Sequence, residues 1–348
     1  MTEIPPDGRP EATSRRKFLQ TAGVAAAAAA GVAAVRHFRG GSGKHPVALL
    51  KCDSYEADLR RVVRDGLAAV GVTPAMVKAK PVLIKPNLVE PHAGASHINV
   101  HPHVIGAVAE EFRAMGASDV LVAEGAGHVH DSYHVLHASG LVDVLAESRT
   151  KFMDLNYAEA RGCKNAFKAT EMKSLYLPKP VLESGVFVSL AKMKTHHWAG
   201  ATLSMKNLFG VMPGSFYGWP KNVLHMNGID QSIMDINSTI LAERRGRPHV
   251  SIVDGIIGME GDGPIMGTPK AAGVIAFGTN PAATDAVCAR VMNIDPLWIR
   301  HLREARKVGT IDGRRIVMRG ESIADVATEF QLLPHIPVHK MLLENARA

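Results

Sequence analysis

The sequence is short of the residues that mark the common metal, redox and hydrolase modules. It has three cysteines, Cys52, Cys163 and Cys288, far apart and with no Cys-x-x-Cys pair. Iron–sulfur clusters and zinc ribbons need clustered thiolates, so neither is expected. One disulfide with a thiol left over is compatible with three cysteines; buried, incidental thiols are the favoured reading. Aromatic residues make up 5% of the chain and do not interleave with basic runs, which argues against single-stranded nucleic acid. No Gly-x-Ser-x-Gly elbow and no His-Glu-x-x-His is present, leaving Ser/His/Asp hydrolysis without local support. There is no Gly-x-x-x-x-Gly-Lys-Ser/Thr loop either. Gly125-x-Gly127 stops short of a dinucleotide fingerprint because position 130 is His.

Charge of one sign is also modest. The formal net charge is +7. Residues 1–40 hold six basic and three acidic side chains, so the remainder carries +4. That balance suits a small anionic ligand and gives no case for nucleic acid. The first forty residues read as an export segment. Ser14-Arg15-Arg16-Lys17-Phe18-Leu19 is followed by an alanine-rich stretch from Thr21 to Val35. Adjacent arginines before a short, weakly apolar run are the pattern of a twin-arginine signal. The expected partner is the twin-arginine translocase, and the expected location is periplasmic or otherwise extracytoplasmic. The run is too short for a stable membrane span unless the signal stays uncleaved as an anchor.

What the chain has in quantity is histidine and alternating patterns. All but one of its 17 histidines, His37, lie after residue 40. Beyond the Gly40–Gly43 linker, apolar runs at Val47–Leu50, Pro81–Ile84, Val120–Ala123, Val186–Leu190, Val250–Val253 and Gly273–Phe277 read as strands. Helical periodicity lies between them, at 58–70, 102–115, 132–148, 229–243, 282–292, 296–308 and 323–330. Polar segments at 151–155 and 173–177 read as short strands of an insertion or small hairpin. Alternating strands and helices predict an α/β fold: a mainly parallel sheet with helices on both faces and a ligand pocket at the strand carboxyl ends. The domain is expected over 45–320, with lobes near 45–150 and 180–320 and a C-terminal helix and tail over 321–348.

Polar clusters recur just after the apolar strands. Lys85 and Asn87 follow one, Glu124 to His128 another, Lys192 to His197 a third, and Asp254 to Glu260 a fourth. The segment Lys192–Gly214 is the densest, with Lys192, Lys194, His196, His197, Lys206 and Asn207. Cores avoid such density, because buried charges and unpaired polar groups are costly. A lysine beside apolar residues, as Lys206 is, can act as a nucleophile or attachment point. His196, His197 and His225 are candidates for proton transfer or metal ligation. Lysines that merely bind a substrate carboxylate or phosphate are the alternative. Gly125 and Gly127 form a candidate backbone anion site or a plain turn. The Asp254–Pro264 loop, with its acids and glycines, offers a cation site or a tight turn. His128, His130, His134 and His137 make a weak metal pattern, more simply read as a solvated helix face.

These motifs resemble a known family. Lys85-Pro-Asn87-Leu, Glu124-Gly-Ala-Gly127, Lys192-x-Lys194-Thr-His196, Thr202-x-x-x-Lys206-Asn207-x-Phe-Gly210, His225, Asp254-Gly-Ile-x-Gly-Met-Glu260-Gly-x-Gly-Pro264 and Ala283-Thr-Asp285 look like the DUF362 signature, over about residues 47–310. Some members of that family carry ferredoxin-like modules, which this chain's cysteines do not supply. The chain is more distantly similar to the nickel-pincer lactate racemase family. That resemblance implies His128 and His196 as an acid/base pair, Lys206 before Pro213-Gly214 as the cofactor-bearing lysine, and His225 as a metal ligand. The racemase Asp-x-x-Arg segment is not evident here, and the loop around Lys206 differs.

The expectation is therefore an exported enzyme, dependent on a divalent metal or a nickel-pincer-like cofactor, performing redox or isomerisation chemistry on a small anionic molecule. His128, His196 and Lys206 are the catalytic candidates. Lys85, Asn87, Gly125, Gly127, Lys194, Asn207, Asp254 and Glu260 are candidates for holding a cofactor, and His225 for a metal. The competing class is a periplasmic binding or accessory protein that uses the same pocket without catalysis.

Overall fold

Runs of branched apolar residues set the strands of the computed structural model, which describes residues 43–92, 94–127 and 131–346. The strands are β1 (His45–Lys51), β2 (Pro81–Pro86), β3 (Asp119–Glu124), β4 (Lys151–Asp154), β5 (Ala160–Lys164), β6 (Ser174–Pro178), β7 (Val186–His196), β8 (Gly200–Thr202), β9 (His249–Glu260), β10 (Thr268–Gly278) and β11 (Ile316–Gly320). Nine of them form one sheet in the order β11-β1-β10-β9-β7-β2-β3-β4, with β8 pairing β7. Pairing is parallel except where β10 meets β9 and β1, and where β8 meets β7. The α/β class and the mostly parallel sheet follow the pattern of the sequence.

Two apolar layers cover the sheet, one on each face. Successive side chains of a strand point to opposite faces. Leu83 and Phe187 accordingly join one layer, while Val82, Ile84, Val186 and Val188 join the other. The helices α1 (Leu59–Ala69) and α2 (Pro102–Ala114) pack on the second layer through Val63, Leu67, Val108 and Phe112. The helices α3 (Ile229–Glu243) and α4 (Pro281–Val291) pack on the first through Ile233, Ile236, Val287 and Val291. Each fully buried Leu, Ile or Phe in these layers contributes about 1.5–3 kcal/mol. All eleven residues of β7 are buried, as expected of a central strand covered on both sides.

Several expectations are corrected. The two expected lobes share the sheet: β1 pairs β10 and β11, while β2 pairs β7, so the 45–150 and 180–320 segments interleave in one compact unit. The helix expected over 132–148 is broken into Ser132–Ala138 and Leu141–Glu147. Gly140 adopts φ 74° between them, a left-handed turn that an L side chain resists. The 151–155 strand is β4, the sheet's edge, and 173–177 becomes β6, whose partner β5 lacks a readable apolar pattern. The helix expected at 296–308 shrinks to Arg300–Ala305 and that at 323–330 to Ile323–Val326; a further helix, α5, spans Pro337–Ala346. Cys52, Cys163 and Cys288 are buried free thiols. The export segment lies outside the described residues. Among those residues, no helix is long and apolar enough to cross a membrane.

Candidate active site

The carboxyl ends of β2, β3 and β7 open into a pocket of about 660 Å³. β7 delivers the densest part of it. The period of two that puts Val186, Val188 and Leu190 in one apolar layer puts Lys192, Lys194 and His196 on the same side, beyond the layer's edge. After β8 the chain turns through the short helix Ser204–Asn207, which brings Lys206 and Asn207 to the wall. The amides of Ser204 and Met205 donate to the buried carboxylate of Asp285 on α4, at 2.8 and 2.7 Å, and so fix this turn.

At the pocket floor, Lys85 Nζ donates to Glu124 Oε2 at 2.7 Å, to Asn207 Oδ1 at 2.7 Å and to Pro86 O at 2.8 Å. Glu124 also accepts from the Leu88 and Gly125 amides. Asn207 returns its Nδ2 to Lys85 O and Ser189 Oγ. Gly210 lies directly on this group: a Cβ there would come within 2.4 Å of Glu124 Oε1 and 2.6 Å of Lys85 Nζ, so any side chain would have to displace the pair.

Four lysines line the pocket: Lys85, Lys194, Lys206 and Lys221. Lys194 Nζ donates to Ile98 O at 2.8 Å and to Pro264 O at 3.1 Å. Lys221 Nζ donates to Asn156 Oδ1 at 2.7 Å and to Met212 O. Lys206 has no hydrogen-bond acceptor among the described residues; its ammonium sits 4.3 Å from the centre of the Phe209 ring.

Burial and mutual repulsion act together on these groups. Desolvation, reinforced by the Lys85 charge and opposed by Glu124, brings Lys206 down to about 7. Desolvation likewise brings Lys221 down to about 7, with Glu124 opposing and Lys85 adding to the fall. Burial, then the charges of Lys192, Lys206 and Lys85, hold Lys194 well below the usual lysine range. Burial lowers Lys85 too, against the pull of Glu124.

The imidazoles are held neutral in part. Burial, then Lys206, keeps His196 well below the ordinary histidine value. Its Nδ1 accepts from the Trp198 and Ala199 amides, at 3.1 and 3.3 Å, so the neutral ring carries its proton on Nε2. His196 is therefore placed as a hydrogen-bond donor rather than a ready base. His197 Nδ1 lies 3.1 Å from Asp262 Oδ1. His225 Nδ1 lies 3.1 Å from Lys221 O, and its ring contacts Trp198 and Phe209.

The structure gathers Lys85, Asn87, Glu124, Gly125, Gly127, Lys194, His196, His197, Lys206, Asn207 and His225 around this one space. His128 and His130 lie outside the described residues. His134 and His137 are exposed on Ser132–Ala138. Two sequence candidates lie elsewhere. Asp254 is fully buried in an ion pair with Lys192, 2.7 Å away, which Tyr55 and the His101 amide complete. Glu260 pairs with Lys270 and accepts from the Gln331 amide. Both sit on β9, whose pairing with β7 shifts between Lys192 and Lys194, so its far end runs into a hairpin with β10 instead of along the pocket floor. Gly125 is corrected as a backbone anion site: its N–H donates to Gly210 O at 3.1 Å and to Glu124.

Sequence reasoning missed Lys221, Thr202, Trp198, Phe209 and Met266 as wall residues. Lys221 follows no strand, and the signal that marks it is conformational. It is a non-glycine residue at φ 68° whose ammonium is buried, and such strain clusters at functional positions. Trp198 and Met266 form an apolar rim, 56% and 78% exposed. The loop carrying Met266 reaches the pocket because Gly263 packs on β7: a Cβ there would meet Thr195 O at 2.0 Å. A second, more open depression of about 820 Å³, lined by Asp131, Tyr133, Tyr157, Glu159, Lys179 and Glu183 among others, lies away from the strand-end lysines.

The fold and this site define an α/β protein with a cationic pocket at the carboxyl ends of parallel strands. The chain belongs to the DUF362 family, a domain of unknown function whose model matches residues 82–290. It is 28% identical over 265 residues to a thylakoid-associated protein of Synechocystis sp., covering 76% of this chain and 79% of that one. Among solved structures it is similar to a Thermotoga maritima protein (12% identity, 69% of this chain and 59% of that chain, TM-score 0.43). It is similar also to the lactate racemase apoprotein of Thermoanaerobacterium thermosaccharolyticum (12% identity, 72% of this chain and 57% of that chain, TM-score 0.38). The chain thus spans less than two thirds of either solved structure.

Proposed function

We propose that this protein is an enzyme that binds a small anionic molecule in the strand-end pocket and carries out isomerisation or redox chemistry on it. The observation that carries this reading is the wall itself: four lysines converge on one space with Glu124 as their buried counter-charge. Clefts lined by one sign of charge concentrate ligands of the other. Two further wall atoms, Asn87 Oδ1 and Thr202 Oγ1, are buried and have no hydrogen-bond partner among the described residues, as expected of groups that meet a ligand. The partly neutral lysines and the donor imidazole suit proton transfer and carbonyl polarisation rather than hydrolysis.

A cofactor belongs to the same reading. Among the described residues no three His, Cys, Asp or Glu side chains are grouped to hold a metal. The four lysines would also repel a bare divalent ion, which therefore does not fit. An anionic organic group held by charge among these lysines does fit, with His225 as its imidazole neighbour. When bound, such a group would supply an electron or hydride sink. The chain's own residues would hold its charge (Lys85, Lys194 and Lys221) and donate a hydrogen bond (His196). Export by the twin-arginine route is part of the proposal and rests on Arg15-Arg16 and the alanine-rich run after them.

Native mass spectrometry and metal analysis of the purified protein, with calorimetry against phosphate, lactate, pyruvate and citrate, test this reading. Saturable anion binding that weakens in Lys194→Met and Thr202→Val is the expected result. Absence of binding by every anion, in protein that carries no adduct, would overturn it. Fractionation of cells expressing the chain with Arg15 and Arg16 replaced by Lys tests export, which should fail in that variant.

A further inference from the structure

The four pocket lysines are not equivalent. Lys85, Lys194 and Lys221 each give their ammonium protons to fixed oxygens of the protein. Lys206 faces the same space with the Phe209 ring as its neighbour and no hydrogen-bond acceptor among the described residues. Three amines are thus tied by hydrogen bonds to the protein, and one is left without an acceptor among the described residues in their midst.

We propose that Lys206 is a nucleophile that forms an imine with a small aldehyde or ketone bearing an anionic group, a carboxylate or a phosphate. The proposal rests on the anion-binding reading above and names the ligand class. The three tied lysines draw the anionic end of the ligand, and Thr202 Oγ1 and Asn87 Oδ1, which have no hydrogen-bond partner among the described residues, can meet its polar atoms. Burial and the neighbouring Lys85 charge, opposed by Glu124, favour the neutral amine, so a usable fraction is present near neutral pH.

The chemistry balances without an oxidant or reductant. The amine lone pair adds to the carbonyl carbon, a C–N bond forms, and the carbonyl π pair moves to oxygen. One amine proton passes to that oxygen, giving the carbinolamine. The nitrogen lone pair then closes the C=N bond as hydroxyl departs, and the second amine proton leaves with it as water. His196, neutral with its proton on Nε2, is the wall residue able to donate a hydrogen bond to the carbonyl oxygen and to the departing hydroxyl, keeping that proton throughout.

Reductive trapping tests the proposal. The full chain is incubated with glyoxylate, glycolaldehyde phosphate or neutral glycolaldehyde in the presence of cyanoborohydride, and adducts are located by peptide mass spectrometry. The expected result is one adduct, on Lys206, formed about tenfold or more faster than on the exposed Lys51. It should form with a charged aldehyde and not with the neutral one, and should be lost in Lys206→Arg. The glyoxylate and phosphate arms tell which anionic head is accepted. Labelling spread over surface lysines and unchanged in Lys206→Arg would overturn the proposal, as would an adduct on Lys221. Circular dichroism and melting of Lys206→Arg separate lost chemistry from lost fold. If phosphate or citrate binds saturably while no charged aldehyde is trapped, the imine falls and the anion-binding reading stands. If neither occurs, both fall.

Discussion

Lys85 Nζ lies 2.7 Å from Glu124 Oε2, with the two side chains 1% and 2% exposed. This ion pair joins the ends of β2 and β3 and forms the floor on which Asn207 and Gly210 rest. Its charges are compensated by each other, by hydrogen bonds from the Leu88 and Gly125 amides to Glu124, and by the hydrogen bond that Lys85 donates to Asn207 Oδ1. Breaking a buried pair from one side leaves the other charge stranded. Glu124→Gln is therefore expected to lower stability by about 3–5 kcal/mol. Urea denaturation measures it; a loss within a few tenths of a kcal/mol would show that the pair is solvated.

Gly210 offers a steric test of the same floor. Its added Cβ would meet Glu124 and Lys85 at 2.4 and 2.6 Å, and both of those side chains are held in place by hydrogen bonds. Gly210→Ala should lower the melting temperature and weaken anion binding together. An unchanged affinity in a folded Gly210→Ala protein would mean that the pair can shift without cost to the site.

Asp254 separates structure from function. It is buried against Lys192 and Tyr55, outside the pocket wall. Asp254→Asn should destabilise the fold by stranding Lys192, yet leave anion affinity in the folded fraction within about twofold, since neither Asp254 nor Lys192 lines the pocket. Calorimetry on folded protein decides the point, and a tenfold loss would return Asp254 to the ligand.

The two lysines near 7 make stability depend on pH in a defined direction. Lys206 and Lys221 fall from 10.5 to about 7 on folding. Between those values the unfolded chain holds more protons, so their contribution to stability rises with pH across that window. Below about 7 their penalty is complete. Lys206→Met should therefore raise the melting temperature most near pH 6, with the gain shrinking towards about pH 10. Melting curves of both proteins across that range provide the check; a gain independent of pH would show that Lys206 is charged alike in both states.

Much of this was legible in the chain. The strands at 81–84, 120–123, 186–190 and 250–253 carry their own evidence, because fully covered strands must be continuously apolar. The helix at Ile229–Glu243 was read to the residue. The polar groups after those strands predicted the pocket because parallel strands end on one side of a sheet. β5 was not legible: its sequence, Ala-Arg-Gly-Cys-Lys, is paired by β6 rather than by a pattern of its own. Lys221 was hidden for a similar reason, since it enters the site through a loop and a left-handed backbone angle.

By itself the sequence determined the class of fold and the cationic character of the site, since both depend on local order: which residues alternate, and which charges follow a strand. Only the tertiary structure decided which charges are free. Lys192 and Lys194 are two residues apart on one strand, yet the first is neutralised by Asp254 and the second faces the pocket. Lys85, Lys194, Lys206 and Lys221 are alike as letters. Long-range packing supplied acceptors to three of them, Glu124, Ile98 and Asn156, because hydrogen bonds and desolvation depend on neighbours distant in the chain, while the fourth faces Phe209, three residues on in its own segment.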